Sequence, residues 1–318
     1  MRSTQSTFMA FAMASLMLLT AHDPSALAAV PTPGRFQVGT LHVQARGHTG
    51  APLILIPGLG SGPWVWQDTV AKLEGSHRIY VLTLAGFDGT QPPARMTGLM
   101  DQVDASLLKL ITSHKIDRPV LVGHSLGGTL AIGFAEKHPD LISGVVAVDG
   151  MPIFPGFERM SAEQRKAAAA NMQQSITQAS PEQFRQQQAG YMQTMGVIDA
   201  DAANKYGKLQ GRSNPRTVAQ FMYEDLTTDL RPDLASISVP VMEISPYNAP
   251  DFKAAAASGR MPMLSEQQKV DYYRQLLKGT PELQVISMAP ARHFAMLDQP
   301  EKFTQALEAF LADLKVQP

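Results

Sequence analysis

The chain has 318 residues, 44% hydrophobic and 17% charged, with 27 Lys and Arg against 28 Asp and Glu for a formal net charge of −1. That is ordinary globular composition with length enough for a large core, and its balanced charge gives no electrostatic case for nucleic acid or an anionic membrane surface as a partner. There is no cysteine, which excludes disulfides, thiolate chemistry and cysteine-ligated metals; with scattered histidines and no HExxH pattern, the expectation is no metal site and no cofactor.

Along the chain, Arg2 precedes an apolar run from Phe8 to Leu19, and Ala26-Leu27-Ala28 follows. This reads as a secretory signal peptide over residues 1–28, because the run is shorter than the roughly 20 residues a spanning helix needs. It predicts export to the periplasm or the medium, a mature chain beginning near Ala29, and no stable membrane insertion after cleavage. "FQVGTLHVQARG" alternates like a hairpin of two strands. "PLILIPG", "HRIYVLTLAG", "PVLVG" and "ISGVVAVDG" are short apolar runs ended by glycine, as strands buried on both faces are. Apolar residues at helical spacing predict helices from Met96 to His114 and from Leu126 to Lys137. Such alternation implies a mostly parallel, doubly wound α/β sheet with helices on both faces.

The alternation stops at Met151. Residues 151–235 are rich in Ala, Gln and Met, with helical periodicity and no convincing strand, and read as a helical cap inserted into a core made of residues 29–150 and 236–318. Such caps tend to gate access, which predicts faster hydrogen exchange there than in the strands. "VPVMEIS", a helix around Ser265–Leu277, "LQVISMA" and the closing helix "PEKFTQALEAFLADLKV" complete the sheet.

One stretch carries chemistry. "VLVGHSLGGTLAIGFAEKHP" runs from a buried strand through Gly123-His124-Ser125-Leu126-Gly127 into a helix. A serine hydroxyl needs a positioned base to act as a nucleophile. A tight strand-to-helix turn exposes its Oγ above a helix N-terminus, and flanking glycines permit the close backbone approach. This is the G-x-S-x-G nucleophile elbow in its expected context.

Here the chain resembles the α/β-hydrolase family over nearly all of its length after residue 28. The elbow carries the resemblance together with "IPGLGSGPWVW" (Ile56–Trp66), similar to the family's oxyanion loop, and "ARHFAMLDQPEKF" (Ala291–Phe303), similar to its catalytic-histidine segment. The resemblance implies Ser125 as nucleophile, His293 as base, and an oxyanion hole from the backbone N–H groups of Leu59 and Leu126. His124 adjoins the nucleophile and is expected to support the elbow. The acid is where the chain departs from the family pattern. Asn248 stands near the usual place, after the strand "VPVMEIS". Asp251, three residues on, is the preferred candidate, and Asp149, ending the preceding strand, is the alternative. Both keep the order Ser…Asp…His.

Serine at the elbow points away from the haloalkane-dehalogenase and epoxide-hydrolase branches, which attack with a carboxylate. Acyl transfer to water remains, with a small-molecule ester as the expected substrate. A lactonase, thioesterase or amidase with the same triad is an alternative, and so is a binding protein on a hydrolase scaffold. Cap methionines, Phe154 and Trp64 are expected to give a mainly apolar substrate pocket.

Overall fold

A computed structural model describes residues 34–259 and 263–314. The signal-peptide reading of residues 1–28 lies outside them. β1 (Gly34–Val38) and β2 (Leu41–Arg46) form the expected hairpin, turning through Gly39 at φ +56°. β3 (Pro52–Ile56) leads through a 3-10 turn (Pro63–Trp66) into α1 (Gln67–Leu73), then β4 (Arg78–Leu84), α2 (Leu99–Ser113), β5 (Val120–His124), α3 (Leu126–Lys137) and β6 (Gly144–Val148). Four helices follow: α4 (Ala162–Gln178), α5 (Pro181–Tyr191), α6 (Ala200–Gln210) and α7 (Pro215–Thr227), with a π-helical turn at Met192–Gly196 after α5. The chain returns through β7 (Val241–Pro246), α8 (Ala249–Ala257), α9 (Glu266–Leu276), β8 (Leu283–Met288), α10 (Ala295–Asp298) and α11 (Pro300–Leu314).

The eight strands lie in the order β1-β2-β4-β3-β5-β6-β7-β8, with β1 and β2 antiparallel and the rest parallel. Every residue of β3, β5, β6 and β7 is buried, as expected where helices cover both faces. Successive residues serve opposite sides of the sheet. Ile54, Ile56, Leu121, Val145 and Ala147 join one apolar cluster, with Leu107, Leu130, Phe134 and Val270 from α2, α3 and α9. Leu53, Leu55, Val122, Val146 and Val148 join the other, with Leu73, Phe303 and Leu307 from α1 and α11. The inserted helices reach both clusters: Val218 and Phe221 of α7 enter the first, and Met192, Ala203 and Tyr206 enter the second.

One segment departs from the sequence reading. "PYNAPDF" reads as an irregular, proline-rich loop; it instead opens α8, with Pro250 in the first turn and Asp251 beside it. Proline lacks the N–H that a first helical turn leaves unpaired anyway, so it starts a helix as readily as it breaks one.

Candidate active site

The elbow is built by close packing. A Cβ on Gly123 would lie 2.1 Å from the carbonyl oxygen of Gly127, so only glycine lets the strand end approach the helix start. Ser125 sits between them at φ +52°, ψ −122°, a conformation that costs a non-glycine residue on the order of 1–3 kcal/mol. Its carbonyl accepts from the N–H groups of Gly128 and Thr129, and its own N–H donates to Val148 O at 2.9 Å. Leu126 is therefore the first residue of α3, where a helix leaves its N–H groups without intrahelical partners.

The Ile56–Trp66 segment lies against this turn. A Cβ on Gly127 would meet Ile56 O at 2.3 Å and Pro57 O at 2.8 Å, and one on Gly58 would meet His124 Nδ1 at 2.6 Å. The Gly58 carbonyl accepts from Ser61 N–H at 3.0 Å. In a trans peptide this turns the Leu59 N–H the opposite way. Two further carbonyls of the loop are held by residues that the sequence reading did not single out. Gln210, at the end of α6, donates to Leu59 O at 2.6 Å and accepts from Ser61 Oγ at 2.9 Å, while Ser213 Oγ donates to Gly60 O at 2.6 Å. All three side chains are buried.

His293 lies between β8 and α10, as expected, and its Nδ1 is 2.5 Å from Asp149 Oδ2. Asp149 directly follows β6, at φ +52°. Its other oxygen accepts from Tyr273 Oη and lies 3.8 Å from Lys269 Nζ. Burial pushes this carboxyl up, but Lys269, His293 and Tyr273 together outweigh it and hold it well below the ordinary range. An ionised carboxylate only accepts, so Nδ1 of His293 is the donor. In the neutral imidazole, Nε2 then keeps a free lone pair.

Asp251, the preferred acid from the sequence, does not face His293. Its carboxylate is gripped by Arg292, with Nε 2.8 Å from Oδ2 and Nη2 2.9 Å from Oδ1, and it also accepts from Asn248 Nδ2 at 2.7 Å. The physical reason is α8. Once the proline-rich segment coils into a helix, Asp251 is drawn into its first turn toward the neighbouring arginine. The alternative, Asp149, occupies the place beside the imidazole.

His124 also has a role more specific than expected. It is fully buried, and burial followed by the neighbouring His293 pushes its pKa well down. The neutral ring donates from Nε2 to His293 O at 3.0 Å and packs 4.4 Å from Phe294, so it braces the histidine loop. The inserted helices brace the same loop from the other side: His293 N–H and Phe294 N–H donate to Met195 O and Gly196 O of the π-helical turn, and Arg292 Nη1 donates to Gln193 O and Val197 O. Trp64 is buried, stacked between Tyr206 at 5.1 Å and Phe294 at 6.0 Å. Phe154 is 39% exposed and packs edge-on against Phe157. Among the described residues no group of three or more His, Asp or Glu side chains is disposed to hold a metal ion.

Comparison with known proteins agrees with this architecture. The chain is 27% identical over 276 residues to a pimeloyl-(acyl-carrier protein) methyl ester esterase from Vibrio vulnificus, an alignment covering 85% of this chain and 97% of that one. Its fold matches an enol-lactonase from Burkholderia xenovorans with a TM-score of 0.67 at 19% identity, covering 88% of this chain and 100% of that one. It matches a thermophilic esterase from Thermogutta terrifontis with a TM-score of 0.66 at 20% identity, covering 88% and 99%. The profile of the alpha/beta hydrolase family aligns with residues 53–306, and with the sheet order and the elbow in place, this chain belongs to that family.

Proposed function

We propose that the protein is an exported serine hydrolase that cleaves a carboxylic ester through an acyl-enzyme on Ser125, with His293 as base and Asp149 as the acid that orients it. The observation that carries this reading is the Asp149–His293 hydrogen bond at the ends of β6 and β8, beside a serine held in the elbow conformation. The esterase relative supports an ester as the substrate class.

In this mechanism Ser125 Oγ attacks the ester carbonyl carbon while His293 Nε2 takes the hydroxyl proton. The imidazolium that forms is stabilised by Asp149 through Nδ1. Negative charge on the former carbonyl oxygen is met by the Leu126 and Leu59 N–H groups. Collapse breaks the bond to the alcohol, which leaves with the proton held by His293. Water, deprotonated by the same nitrogen, then attacks the acyl-enzyme, the bond to Ser125 Oγ breaks, and the acid leaves as His293 returns the proton to that oxygen.

A fluorophosphonate probe followed by peptide mass spectrometry tests the nucleophile. The adduct is expected on Ser125, and Ser125→Ala should lose several orders of magnitude of ester hydrolysis. Undiminished hydrolysis by that variant would sink the reading. Export rests on the leader pattern of residues 1–28. Amino-terminal sequencing of exported material should begin near Ala29, whereas an intact leader on membrane-held protein would show an anchor.

A further inference from the structure

The carboxylate beside His293 has two oxygens, and the second is held by α9. Lys269 and Tyr273 stand four residues apart, so both face the same way from the helix. Tyr273 Oη donates to Asp149 Oδ1, and Lys269 Nζ lies 3.8 Å from the same oxygen. The ammonium is fixed by a hydrogen bond to Pro246 O and by the rings of Tyr273 at 4.9 Å and Phe252 at 5.9 Å. Both members of the ion pair are largely shielded, with side chains 14% and 13% exposed. The segment after β7, which carries the acid in the family pattern, here carries a clamp on an acid supplied by β6.

We propose that Lys269 and Tyr273 are positioning residues of the hydrolytic site: Tyr273 orients the Asp149 carboxylate, and the charge of Lys269 on its far oxygen tunes how strongly that carboxylate acts on His293. The proposal rests on the Ser125–His293–Asp149 reading above.

Electrostatics give its direction. The titratable groups facing Asp149 are His293 from the loop after β8, His124 from β5, Glu243 from β7, Tyr191 from α5, and Lys269 and Tyr273 from α9. Glu243 is fully buried, and burial and then the Asp149 charge push its carboxyl well up, toward the neutral form. Burial also pushes both tyrosines up and His124 down, leaving them neutral. Asp149 is the anion of this set and Lys269 its resident cation. An unopposed carboxylate beside an imidazole favours its protonation. A positive charge on the far oxygen opposes that protonation. Lys269 therefore offsets part of the Asp149 charge while leaving the carboxylate able to orient His293.

The test is the acidic limb of the kcat/KM profile for a simple p-nitrophenyl ester. Lys269→Met should move that limb upward by about one pH unit, and Lys269→Arg, which keeps the charge, should restore it. Tyr273→Phe should lower kcat roughly tenfold at the pH optimum, with KM unchanged. Thermal unfolding establishes that each variant is folded. If Lys269→Met does not fold, Lys269→Gln, which retains a donor for Pro246 O, is read in its place. A limb that stays put in the neutral variant, or one that moves equally in Lys269→Arg, overturns the proposal. Asp149→Asn separates it from the underlying reading. If that variant stays active, the triad itself is wrong. If it is crippled while the neutral Lys269 variant keeps the wild-type limb, the triad stands and only the clamp falls.

Discussion

Asp149 and Asp251 bear the same side chain and both reach residues of the histidine loop, yet their partners give them different work. Asp149 is bonded to the imidazole of His293 and shielded from solvent, while Asp251 is 39% exposed and paired with Arg292. Replacing a triad carboxylate with an amide keeps the shape but fails to stabilise the imidazolium and favours the wrong tautomer. In a chymotrypsin-type serine protease the same change costs about 10⁴ in kcat, so Asp149→Asn should lower kcat by roughly 10²–10⁴ at neutral pH. Asp251→Asn should remain within about tenfold of wild type, because partly exposed ion pairs contribute little. Steady-state kinetics on the two purified variants decides between them. The residues either side of the triad would have been hard to choose from sequence: "EQQKVDYYRQL" is a polar helix in which nothing marks Lys269 and Tyr273 as different from surface residues.

At the scale of elements, the cap is divided. α6 and the π-helical turn are tied to the core at both limbs of the site, through Gln210 and Ser213 on the oxyanion loop and through Met195 and Gly196 on the histidine loop. α4 buries only Ala169 among its 17 residues. Gating by the whole insertion would break buried hydrogen bonds at both limbs, whereas motion of α4 would break few. Hydrogen exchange should therefore be fast in α4 and slow in α6 and in the strands around Leu121 and Val146. Uniformly slow exchange across α4 would argue for a fixed cap. Gln210→Leu should lower kcat about tenfold to a hundredfold with a smaller effect on KM, because it frees the Leu59–Gly60 peptide and strands the Ser61 hydroxyl. An unchanged kcat in a folded variant would show that the loop keeps its shape unaided.

The described core and cap form one compact unit, and that packing carries a pH signature. Asp225 of α7 lies beside Thr129 of α3, and burial raises its carboxyl from 3.8 to about 7, with Thr129 opposing. Between those values the folded protein holds a proton that the unfolded chain has released. The contribution to stability is thus fully present at low pH and is lost as pH rises toward 7. Asp225→Asn should flatten that slope, so that Tm falls less between about pH 5 and pH 8 than in wild type. Parallel melting curves across that range would count against burial of the Asp225 carboxyl between α7 and α3.

The sequence by itself determined the parts that are local. Apolar runs bounded by glycine located the strands, because a strand buried on both faces admits little else. Gly123, Ser125 and Gly127 marked the tight strand-to-helix turn, because close packing of strand end against helix start leaves no room for a side chain at the glycines. His293 followed from its segment. The identity of the residue facing it was decided only by tertiary structure, since Asp149 and His293 meet across 144 positions and Gln210 and Ser61 across 149. Both aspartates satisfied the order of the triad, and no local pattern separates them. What separated them was the coiling of residues 249–257 into α8 and its pairing with Arg292. A side chain's partners depend on how whole elements pack, and that is settled by burying the two faces of the sheet rather than by spacing along the chain.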